Sequence, residues 1–498
     1  MTLPAAIPPE LLTPAEMAQA DRLAGNGPAL MEAAGGAVAR AMLRRFRPCR
    51  VLVLAGPGHN GGDGYVVARH LERAGWDVAV AALARPKGDA ALAAARWRGP
   101  MRAFSVAEMR RAGLVVDAVF GAGLARPVEG LAAEVLAAAR APIVAVDIPS
   151  GVCGATGSVL GFAPQAALTV TFFRRKPGHL LLPGRDLCGE LLLADIGLPP
   201  QVLEAIQPAS FANGPALWRL PRPDATSHKH SRGHVVIFSG GAMTGAAFLA
   251  ARAARRMGAG LVTLACRDAA SAALHRQAEP GALVLEAPGM EPLLQRILGD
   301  ARLEVLLLGP GMPPDATTRG AIRALLRAGR RIVLDAGALT ACAGDADALR
   351  GAAILTPHAG EFARLFGAPG HDRLGAARAA AVRSGAVVLL KGSDSIIAAP
   401  DGRAAINHNA PAWLATGGTG DVLAGVAAAL LAQGLPAFEA ACCAAWLQGE
   451  AALLVGEGLI AEDLPEALAR AAQSAGGAQA SCVTGRQPAA PRNRSRLD

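Results

Sequence analysis

The chain has 498 residues, 52% of them hydrophobic, and a formal net charge of +9. This length and apolar content predict two to four globular domains, with no apolar run approaching the roughly 20 residues that span a bilayer. The basic residues are dispersed and only one tyrosine is present, so the positive charge does not indicate a nucleic-acid partner. The N-terminus lacks the basic start and apolar stretch of a signal peptide, and a cytoplasmic location is expected.

The first third of the chain alternates short apolar runs with helix-like stretches. Thr13-Pro14-Ala15-Glu16 is a capping box with proline at the first helical position, and it predicts a helix that ends near Leu23. Five partly β-branched runs are predicted as strands, at residues 51–55, 78–83, 114–120, 143–148 and 168–172. This pattern predicts a mostly parallel sheet with helices on both faces.

The alternation lapses from about residue 201 to residue 231, where Pro, Asn and His accumulate, and this segment is predicted to link two domains. Six further strands are predicted after it, at residues 235–238, 261–265, 305–308, 332–334, 353–355 and 387–390. The second domain is expected to end near residue 472. Residues 473–498 are rich in Gly, Ser, Pro and Arg, which predicts a disordered tail.

A glycine-rich loop follows the first predicted strand. Gly56, Gly58 and Gly61 satisfy the GxGxxG fingerprint of dinucleotide-binding folds. The acid expected at the end of the next strand is missing, because Asp77 precedes that strand instead of following it. The loop therefore does not indicate an ordinary Rossmann NAD site.

Polar side chains follow several of the predicted strands of the first domain. Asn60 and Asp63 come after the first strand, Asp117 lies in the third, and Asp147 and Ser150 end the fourth. The carboxyl ends of parallel strands share one edge, so these side chains are expected to converge. Hard oxygen ligands suit a weakly held cation, while one carboxylate remains free as a base. Any one of these acids could instead be a loop cap, but the whole set favours a site.

These segments resemble the NAD(P)H-hydrate epimerase domain. The resemblance rests on residues 30–35, Gly56 to Gly64, the loop around Asp117 and residues 146–151; His59 stands where the family usually has asparagine. It implies that Asn60, Asp117 and Ser150 hold a potassium ion and that Asp147 is the base. The implied hydrate-binding residues are His59, Asn60, Gly61, Gly62, Asp63, Gly121, Ala122, Gly123, Leu124, Ala125, Arg126, Pro127 and Asp147.

A second glycine-rich loop lies near the C-terminus. Residues 415–425 contain four glycines, two threonines and Asp421, at the mouth of an apolar helix. Glycines let backbone amides approach a phosphate, the helix N-terminus adds partial positive charge, and Asp421 stands where a substrate hydroxyl would be deprotonated. The alternative is a tightly packed helix start with Asp421 as its cap. The turn that begins at Lys391 offers a cation and hydroxyls, and it is expected to face this loop.

The second half resembles the ribokinase-like ADP- or ATP-dependent NAD(P)H-hydrate dehydratases. The resemblance rests on Lys229-His230, on residues 239–241, 309–311 and 356–361, and on the 415–425 loop. It implies that Asp421 is the catalytic base and that ADP or ATP, with magnesium, is the co-substrate. The implied hydrate site is Ala246, Gly311, His358 and Asp421, and the implied nucleotide site is Lys391, Gly392, Ser393, Asp394, Ser395 and Gly420. Gly337 and Gln448 stand where the family commonly has Asp and His.

Together the two resemblances cover about residues 10 to 470, in the order of bifunctional nicotinamide-repair enzymes. They imply an α/β protein with a Rossmann-like three-layer α/β/α domain, residues 1–212, and a ribokinase-like α/β domain, residues 222–472. The implied function is to interconvert the R and S forms of the NADH and NADPH hydrates and to dehydrate the S form with ADP or ATP. A homo-oligomer is expected, with no nucleic-acid or membrane partner.

The sequence leaves two alternative functions open. One is a ribokinase-class small-molecule or vitamin kinase fused to a non-catalytic nucleotide-binding domain. The other is a nucleotide sensor or scaffold without catalytic activity. The first predicts a phosphorylated product that accumulates, and the second predicts binding alone.

Overall fold

A computed structural model describes residues 7–484 of the protein. The chain divides into two compact units, Met1–Ala212 and Asn213–Asp498. Each unit contains a mostly parallel sheet with helices between its strands. The predicted α/β class with two domains is confirmed.

The first unit contains nine strands and eight α-helices among its described residues. The strands are β1 (Glu10–Leu11), β2 (Arg50–Ala55), β3 (Asp77–Ala82), β4 (Met101–Arg102), β5 (Leu114–Ala118), β6 (Ile143–Val146), β7 (Leu168–Phe172), β8 (Glu190–Ala194) and β9 (Ser210–Ala212). The helices are α1 (Pro14–Ala24), α2 (Gly27–Arg45), α3 (His59–Arg73), α4 (Asp89–Ala95), α5 (Val106–Met109), α6 (Gly130–Ala137), α7 (Gly184–Leu187) and α8 (Val202–Ile206).

Seven of these strands form a wholly parallel sheet in the order β4-β3-β2-β5-β6-β7-β8. Successive side chains of a strand point to opposite faces, and the residues of β2 divide accordingly. Val51 and Val53 enter a core built with α2 and α3. Leu52 and Leu54 enter a second core built with α5 and α6. The sheet is therefore the middle of a three-layer α/β/α unit, as predicted.

The first helix begins where the capping box places it. Glu16 N donates to Thr13 Oγ1 at 3.3 Å, and Thr13 N donates to Glu16 Oε2 at 2.7 Å. The side chain of each residue thus accepts a hydrogen bond from the backbone N–H of the other, which fixes the N-terminus of α1.

The second unit contains nine strands and ten α-helices among its described residues. The strands are β10 (His234–Phe238), β11 (Leu261–Cys266), β12 (Leu283–Glu286), β13 (Val305–Leu308), β14 (Arg331–Leu334), β15 (Ile354–Leu355), β16 (Val387–Leu390), β17 (Ile396–Ala398) and β18 (Ala404–Ile406). The helices are α9 (Thr244–Arg256), α10 (Ala269–Ala278), α11 (Met290–Leu298), α12 (Ala316–Arg327), α13 (Ala336–Ala341), α14 (Ala359–Phe366), α15 (Arg373–Ser384), α16 (Thr419–Ala432), α17 (Ala437–Val455) and α18 (Leu464–Thr484).

Seven strands run parallel in the order β16-β15-β14-β13-β10-β11-β12, and β17 and β18 continue the sheet in antiparallel fashion beyond β16. The order reverses between β10 and β13, as it does between β2 and β5 in the first unit. Loops that leave neighbouring strands on opposite sides of such a point open a crevice, which is where open α/β sheets bind ligands. The topology therefore gives each unit one preferred place for a site.

The predicted linker and tail are both too long. Residues 202–212 form helix α8 and strand β9, so the connection without regular structure is confined to residues 213–233. The predicted tail begins at residue 473, yet α18 continues to Thr484, and Ala475 within this stretch is buried against the fold. Residues 485–498 lie outside the described residues.

Helix α17 corrects the expectation that no apolar run approaches the length of a membrane span. The helix has 19 residues, and an 18-residue stretch of it has a mean hydropathy of 1.2, which is sufficient for a membrane span by length and composition. Of that stretch, 67% is buried inside the fold, and the helix packs against α16 and α18. These are the properties of a core helix, so its apolar sequence is accounted for by packing.

Candidate active sites

A cavity of about 700 Å³ opens in the first unit, beside the loops that leave β2, β5 and β6. It lies at the point where the strand order reverses. The predicted residues that line it are His59, Asn60, Asp63, Gly121, Ala122, Gly123, Leu124, Ala125, Arg126 and Asp147. Gly61, Gly62 and Pro127 are not among its lining residues; the two glycines are buried in the first turn of α3.

The glycines around the start of α3 are explained by the packing of the turn. A Cβ on Gly61 would lie 1.9 Å from the carbonyl oxygen of Gly56, and a Cβ on Gly56 would lie 1.9 Å from that of Val119. Both positions therefore exclude any side chain. The fingerprint arises from close approach of backbone segments, while His59 and Asn60 on the first turn of α3 line the cavity.

Asp147 is held in one orientation by four neighbours. Lys176 Nζ donates to its Oδ1 at 2.7 Å, Thr171 Oγ1 donates to the same oxygen at 3.0 Å, and Ala122 N donates to Oδ2 at 2.9 Å. His179 Nε2 lies 2.8 Å from its carbonyl oxygen. The backbone of Asp147 has a φ of 67°, a left-handed conformation that is uncommon outside glycine and concentrated at functional sites.

The ammonium group of Lys176 decides the charge of this carboxyl. Burial disfavours its ionised form, but Lys176 and the amide of Ala122 outweigh burial and lower the pKa of Asp147 to about 2. Asp147 is therefore ionised throughout the neutral range. Sequence reasoning did not identify the ion pair, although lysine is rare in this arginine-rich chain, and Lys176 is only 1% exposed.

Asp117 and Ser150 form a fully buried pair below the cavity. Ser150 Oγ donates to Asp117 Oδ1 at 2.6 Å, and Ser150 N donates to Oδ2 at 2.8 Å. In the part of the chain that the structure describes, no hydrogen bond links Asn60 to this pair, and its Nδ2 is buried without a partner. Asn60 Oδ1 and Asp147 Oδ2 each lie 3.2 Å from the position of a Cβ on Gly121, so both oxygens border the same loop.

The donor set at this edge of the sheet has the chemistry that potassium requires. It offers the carboxylate of Asp117, the hydroxyl of Ser150 and the amide oxygen of Asn60, all of them hard oxygen ligands. Among residues 7–484, no group of three or more His, Cys, Asp or Glu side chains is placed to hold a metal ion. The residues therefore fit the predicted potassium ion.

Three further carboxyl groups line the cavity, those of Asp21, Asp63 and Asp89. Asp63 is 9% exposed, and burial together with the charges of Asp147 and Asp21 raises its pKa well above its ordinary range. Burial also raises the pKa of Asp21, a residue of α1 that sequence reasoning missed. The only feature of the sequence that could have pointed to Asp21 is its position on a helix that precedes the glycine loop. The cavity thus combines one strongly ionised acid with acids that resist ionisation.

In the second unit, the predicted phosphate loop is the start of α16. Gly418 has a φ of 89°, and the helix begins at Thr419, whose Oγ1 donates to the carbonyl oxygens of Leu414 and Thr416 at 3.0 Å each. These bonds fold the loop back over the helix N-terminus. Asp421 lies in the first turn, where the predicted base is required.

Lys391 connects this loop to the end of β14. Its Nζ donates to Asp335 Oδ1 at 2.7 Å, and it lies 3.3 Å from the position of a Cβ on Gly420. The predicted meeting of the Lys391 turn and the glycine loop is therefore present in the structure. Asp335 directly follows β14, and sequence reasoning assigned it no role.

Asp421 has the properties of a base that works near neutral pH. Burial and the negative charge of Asp335 raise the pKa of Asp421 to about 6, although Lys391 opposes the shift. A carboxylate of this kind is ionised at pH 7 and still accepts a proton readily, because its pKa lies close to the working pH.

The turn from Lys391 to Ser395 is internally braced. Ser395 Oγ donates to the carbonyl oxygen of Gly392 at 2.7 Å and accepts from its N–H at 3.0 Å. Arg373 Nη1 donates to Asp394 Oδ1 at 2.5 Å. The turn presents a fixed backbone next to the loop at Gly420, as a nucleotide site requires.

The remaining predicted residues lie on loops at the same edge of the sheet. A Cβ on Gly311 would lie 2.2 Å from the carbonyl oxygen of Met243, which directly precedes α9, and Ala246 is in the first turn of that helix. His358 caps α14, where its Nδ1 accepts from Gly360 N at 3.0 Å. The ring of His358 is exposed, and its Nε2 lies 3.6 Å from Glu361 Oε1 on the same helix.

Comparison with known proteins matches both halves of the chain to families. Residues 27–178 match a family described as YjeF-related protein N-terminus, and residues 235–474 match a family described as NAD(P)H-hydrate dehydratase. The bifunctional NAD(P)H-hydrate repair enzyme Nnr of Moorella thermoacetica is 40% identical over 89% of this chain and 91% of its own length. The chain belongs to the bifunctional NAD(P)H-hydrate repair enzymes.

Further members and one solved structure extend the comparison. The repair enzyme Nnr of Pyrobaculum aerophilum is 38% identical over 93% of this chain and 98% of its own length. The crystal structure of the ADP/ATP-dependent NAD(P)H-hydrate dehydratase of Bacillus subtilis, co-crystallised with ATP and Mg²⁺, covers 51% of this chain and 94% of its own, with 30% identity and a TM-score of 0.44.

One departure of this repair enzyme from the family pattern is fixed by backbone packing. A Cβ on Gly337 would lie 2.0 Å from the carbonyl oxygen of Met312. The family's aspartate would require the loop after β13 to move at this position. Glycine at 337 is thus matched to the close approach of two strand-end loops.

The other two departures place polar side chains at the site loops. Gln448 Nε2 donates to the carbonyl oxygen of Thr419 at 2.6 Å, so it supports the first turn of the phosphate-loop helix from α17. His59, in place of asparagine, lines the epimerase-like cavity on the first turn of α3. Both residues occupy positions where a polar group meets the site loops.

Proposed function

We propose that this chain repairs hydrated nicotinamide cofactor with two separate sites. The first unit interconverts the R and S forms of NADH hydrate and NADPH hydrate. The second unit dehydrates the S form to NADH or NADPH, using ADP or ATP. We assign the epimerase to residues 1–212 and the dehydratase to residues 222–472. Cytoplasmic location and a homo-oligomeric state stay predictions.

In the first site, the substrate carbon to be inverted carries a hydroxyl and is bonded to the ring nitrogen. Asp147 binds the hydrate and takes the hydroxyl proton, while Lys176 and Thr171 keep its carboxylate ionised and oriented. As the proton leaves, a carbonyl forms at this carbon, and its bond to the ring nitrogen breaks with the electron pair going to nitrogen. The nitrogen then adds to the opposite face of the carbonyl and Asp147 returns the proton to the oxygen, which inverts the carbon. The loop at residues 121–127 and the first turn of α3 surround the ring. Asn60, Asp117 and Ser150 would hold potassium, which would supply a fixed positive charge beside the carboxylate.

In the second site, Asp421 takes the proton of the substrate hydroxyl, and the hydroxyl oxygen attacks the terminal phosphorus of the nucleotide. The bond from that phosphorus to the bridging oxygen breaks, and its electron pair leaves with the shortened nucleotide. The new phosphate ester then loses phosphate as the ring double bond forms and a ring proton departs. The backbone amides at residues 417–420 and Lys391 stabilise charge on the transferring group.

Magnesium would enter this site with the nucleotide. Mg²⁺ is usually bound by one or two carboxylates together with substrate phosphates, and a dedicated protein cage is not required. Lys391, Gly392, Ser393, Asp394, Ser395 and Gly420 would hold the nucleotide. Ala246, Gly311, His358 and Asp421 would hold the hydrate.

The observation that carries the proposal is that one chain presents two acid-bearing sites, at Asp147 and at Asp421, each at the strand ends of its own sheet. A small-molecule kinase needs only the second. The test is to incubate the full chain with hydrated NADH of each epimer and ADP or ATP, and to follow the recovery of NADH absorbance. A phosphorylated product that accumulates would indicate a kinase, and binding without turnover would indicate a sensor.

The two activities are expected to differ in their dependence on pH. The pKa of Asp421 is about 6, so kcat/KM for dehydration should fall as the pH drops through 6, by about tenfold for each unit below it. The pKa of Asp147 is about 2, so epimerisation should show no such fall between pH 7 and pH 5. Initial rates on single epimers across this range measure both profiles, and parallel profiles would contradict the assignment of bases.

Removal of potassium is expected to affect epimerisation alone. The Ser150→Ala variant loses one proposed ligand, and half-maximal epimerisation should need at least about tenfold more potassium. Ser105→Ala, which removes the N-cap serine of α5 in the same unit, is the matched control. If the epimerase rate does not depend on potassium in either the wild type or the Ser150 variant, the proposal that potassium binds at this site is wrong.

A further inference from the structure

Asp335 occupies a capping position without serving as a cap. It is the residue before α13, yet its side chain accepts no hydrogen bond from that helix. The chain offers a direct comparison, because four other aspartates precede helices and each accepts a backbone N–H of the helix that follows. Those four are Asp268, Asp315, Asp345 and Asp372. The carboxylate of Asp335 is therefore directed to another partner.

That partner is Lys391, whose side chain is 19% exposed while the carboxylate of Asp335 is buried. Asp335 is 1% exposed, and its Oδ1 accepts from Lys391 Nζ at 2.7 Å. The position of a Cβ on Gly420 lies 3.3 Å from Lys391 Nζ and 3.9 Å from Asp335 Oδ2. A flexible lysine side chain is thus fixed against the first turn of the phosphate-loop helix.

The surrounding charges show why such fixing is needed. Lys391 faces three carboxylates, those of Asp335, Glu361 and Asp421, and together they raise its pKa although burial lowers it. An unrestrained ammonium could pair with any of them. The hydrogen bond that Lys391 donates to Asp335 selects one position of the ammonium group, beside Gly420.

We propose that Asp335 is a positioning residue of the dehydratase site, which holds Lys391 Nζ beside Gly420 so that the ammonium meets the nucleotide phosphate in a single geometry. This inference rests on the proposed function of the second unit. It also assigns Asp335 a second effect, because its charge favours proton uptake by Asp421. Loss of Asp335 should therefore weaken nucleotide binding and change the pH dependence of dehydration together.

The test compares Asp335→Asn with Asp315→Asn, which removes a capping aspartate in the same unit. Calorimetric titration of the full chain with ADP and with ATP measures binding, and dehydration of the S hydrate measures kcat and KM. We expect the Asp335 variant to bind its nucleotide about tenfold more weakly and to shift the acid limb of kcat/KM to lower pH. The Asp315 variant should lose thermal stability with both properties unchanged.

A second pair of variants shows whether Asp335 acts through Lys391. In a Lys391→Met background, Asp335→Asn should cause no further loss of nucleotide affinity, since its partner is already absent. Equal weakening with and without Lys391 would overturn the proposal, and so would wild-type affinity in Asp335→Asn. If Asp335→Asn does not fold, Asp335→Glu should keep the acid limb and raise the nucleotide KM.

The binding measurement separates this inference from the proposed function. A wild-type chain that binds ADP without dehydrating the hydrate would refute the function and leave the role of Asp335 testable by titration. An active wild type whose Asp335→Asn variant matches it in affinity and pH profile would refute the role alone.

Discussion

Replacing Asp421 with asparagine is expected to reduce kcat for dehydration by about 10²- to 10⁴-fold, the usual contribution of a positioned general base. Asparagine keeps the size of the side chain and cannot take the hydroxyl proton. Nucleotide affinity should persist, since the cradle amides and Lys391 are unchanged. Recovery of NADH absorbance from the S hydrate measures the loss, and Glu291→Gln, a first-turn carboxylate of α11, is the control.

The same variant should be more stable than the wild type at pH 7. The folded protein raises the pKa of Asp421 from 3.8 to about 6, about two units, so ionisation costs it up to about 3 kcal/mol of unfolding free energy. The cost is absent below pH 4 and complete above pH 7. Denaturant unfolding at pH 4 and pH 7 should show the gain only at the higher pH. Dehydration activity equal to that of the wild type would contradict the role of Asp421 as the base. A variant less stable than the wild type at pH 7 would contradict its raised pKa.

Strands were predictable where the apolar runs were long and bounded by turns. The strands at 168–172, 305–308 and 387–390 lie where the sequence predicts them, because β-branched and leucine-rich runs buried on both faces carry a strong signal. The antiparallel strands β17 and β18 were missed, since three residues between loops give no periodicity. The same is true of β9 within the predicted linker.

The site loops were predictable as motifs, but the partners that tune their chemistry were not. Glycines and acids at strand ends have local signatures, which placed Asp147 and Asp421. Lys176, which acts on Asp147, is 29 residues away from it along the chain. Asp335, which acts on Asp421 and binds Lys391, follows a different strand. Contacts between residues far apart in the sequence leave no local pattern. The ion pairs and the pKa shifts that they cause could therefore be identified only from the structure. Asp21, on a helix that precedes the loop, was missed for the same reason.

Replacing Asp147 with asparagine is expected to stop epimerisation and leave dehydration of the S hydrate unchanged. With a mixture of both epimers and excess nucleotide, the wild type should convert all of the hydrate to NADH. The variant should stop when the S form is consumed, and any slow phase should match the rate without enzyme. The amplitude of NADH recovery therefore reports the epimerase, and its initial rate reports the dehydratase in the same sample.

The control must separate chemistry from folding, because the variant leaves Lys176 buried without its carboxylate. Removing one member of a buried ion pair commonly costs about 3–5 kcal/mol. The double variant Asp147→Asn with Lys176→Met removes both charges and should regain most of that stability. It should still stop at the S fraction, since the carboxylate that takes the hydroxyl proton is absent. Recovery of epimerisation in the double variant would show that Asp147 serves only to neutralise Lys176.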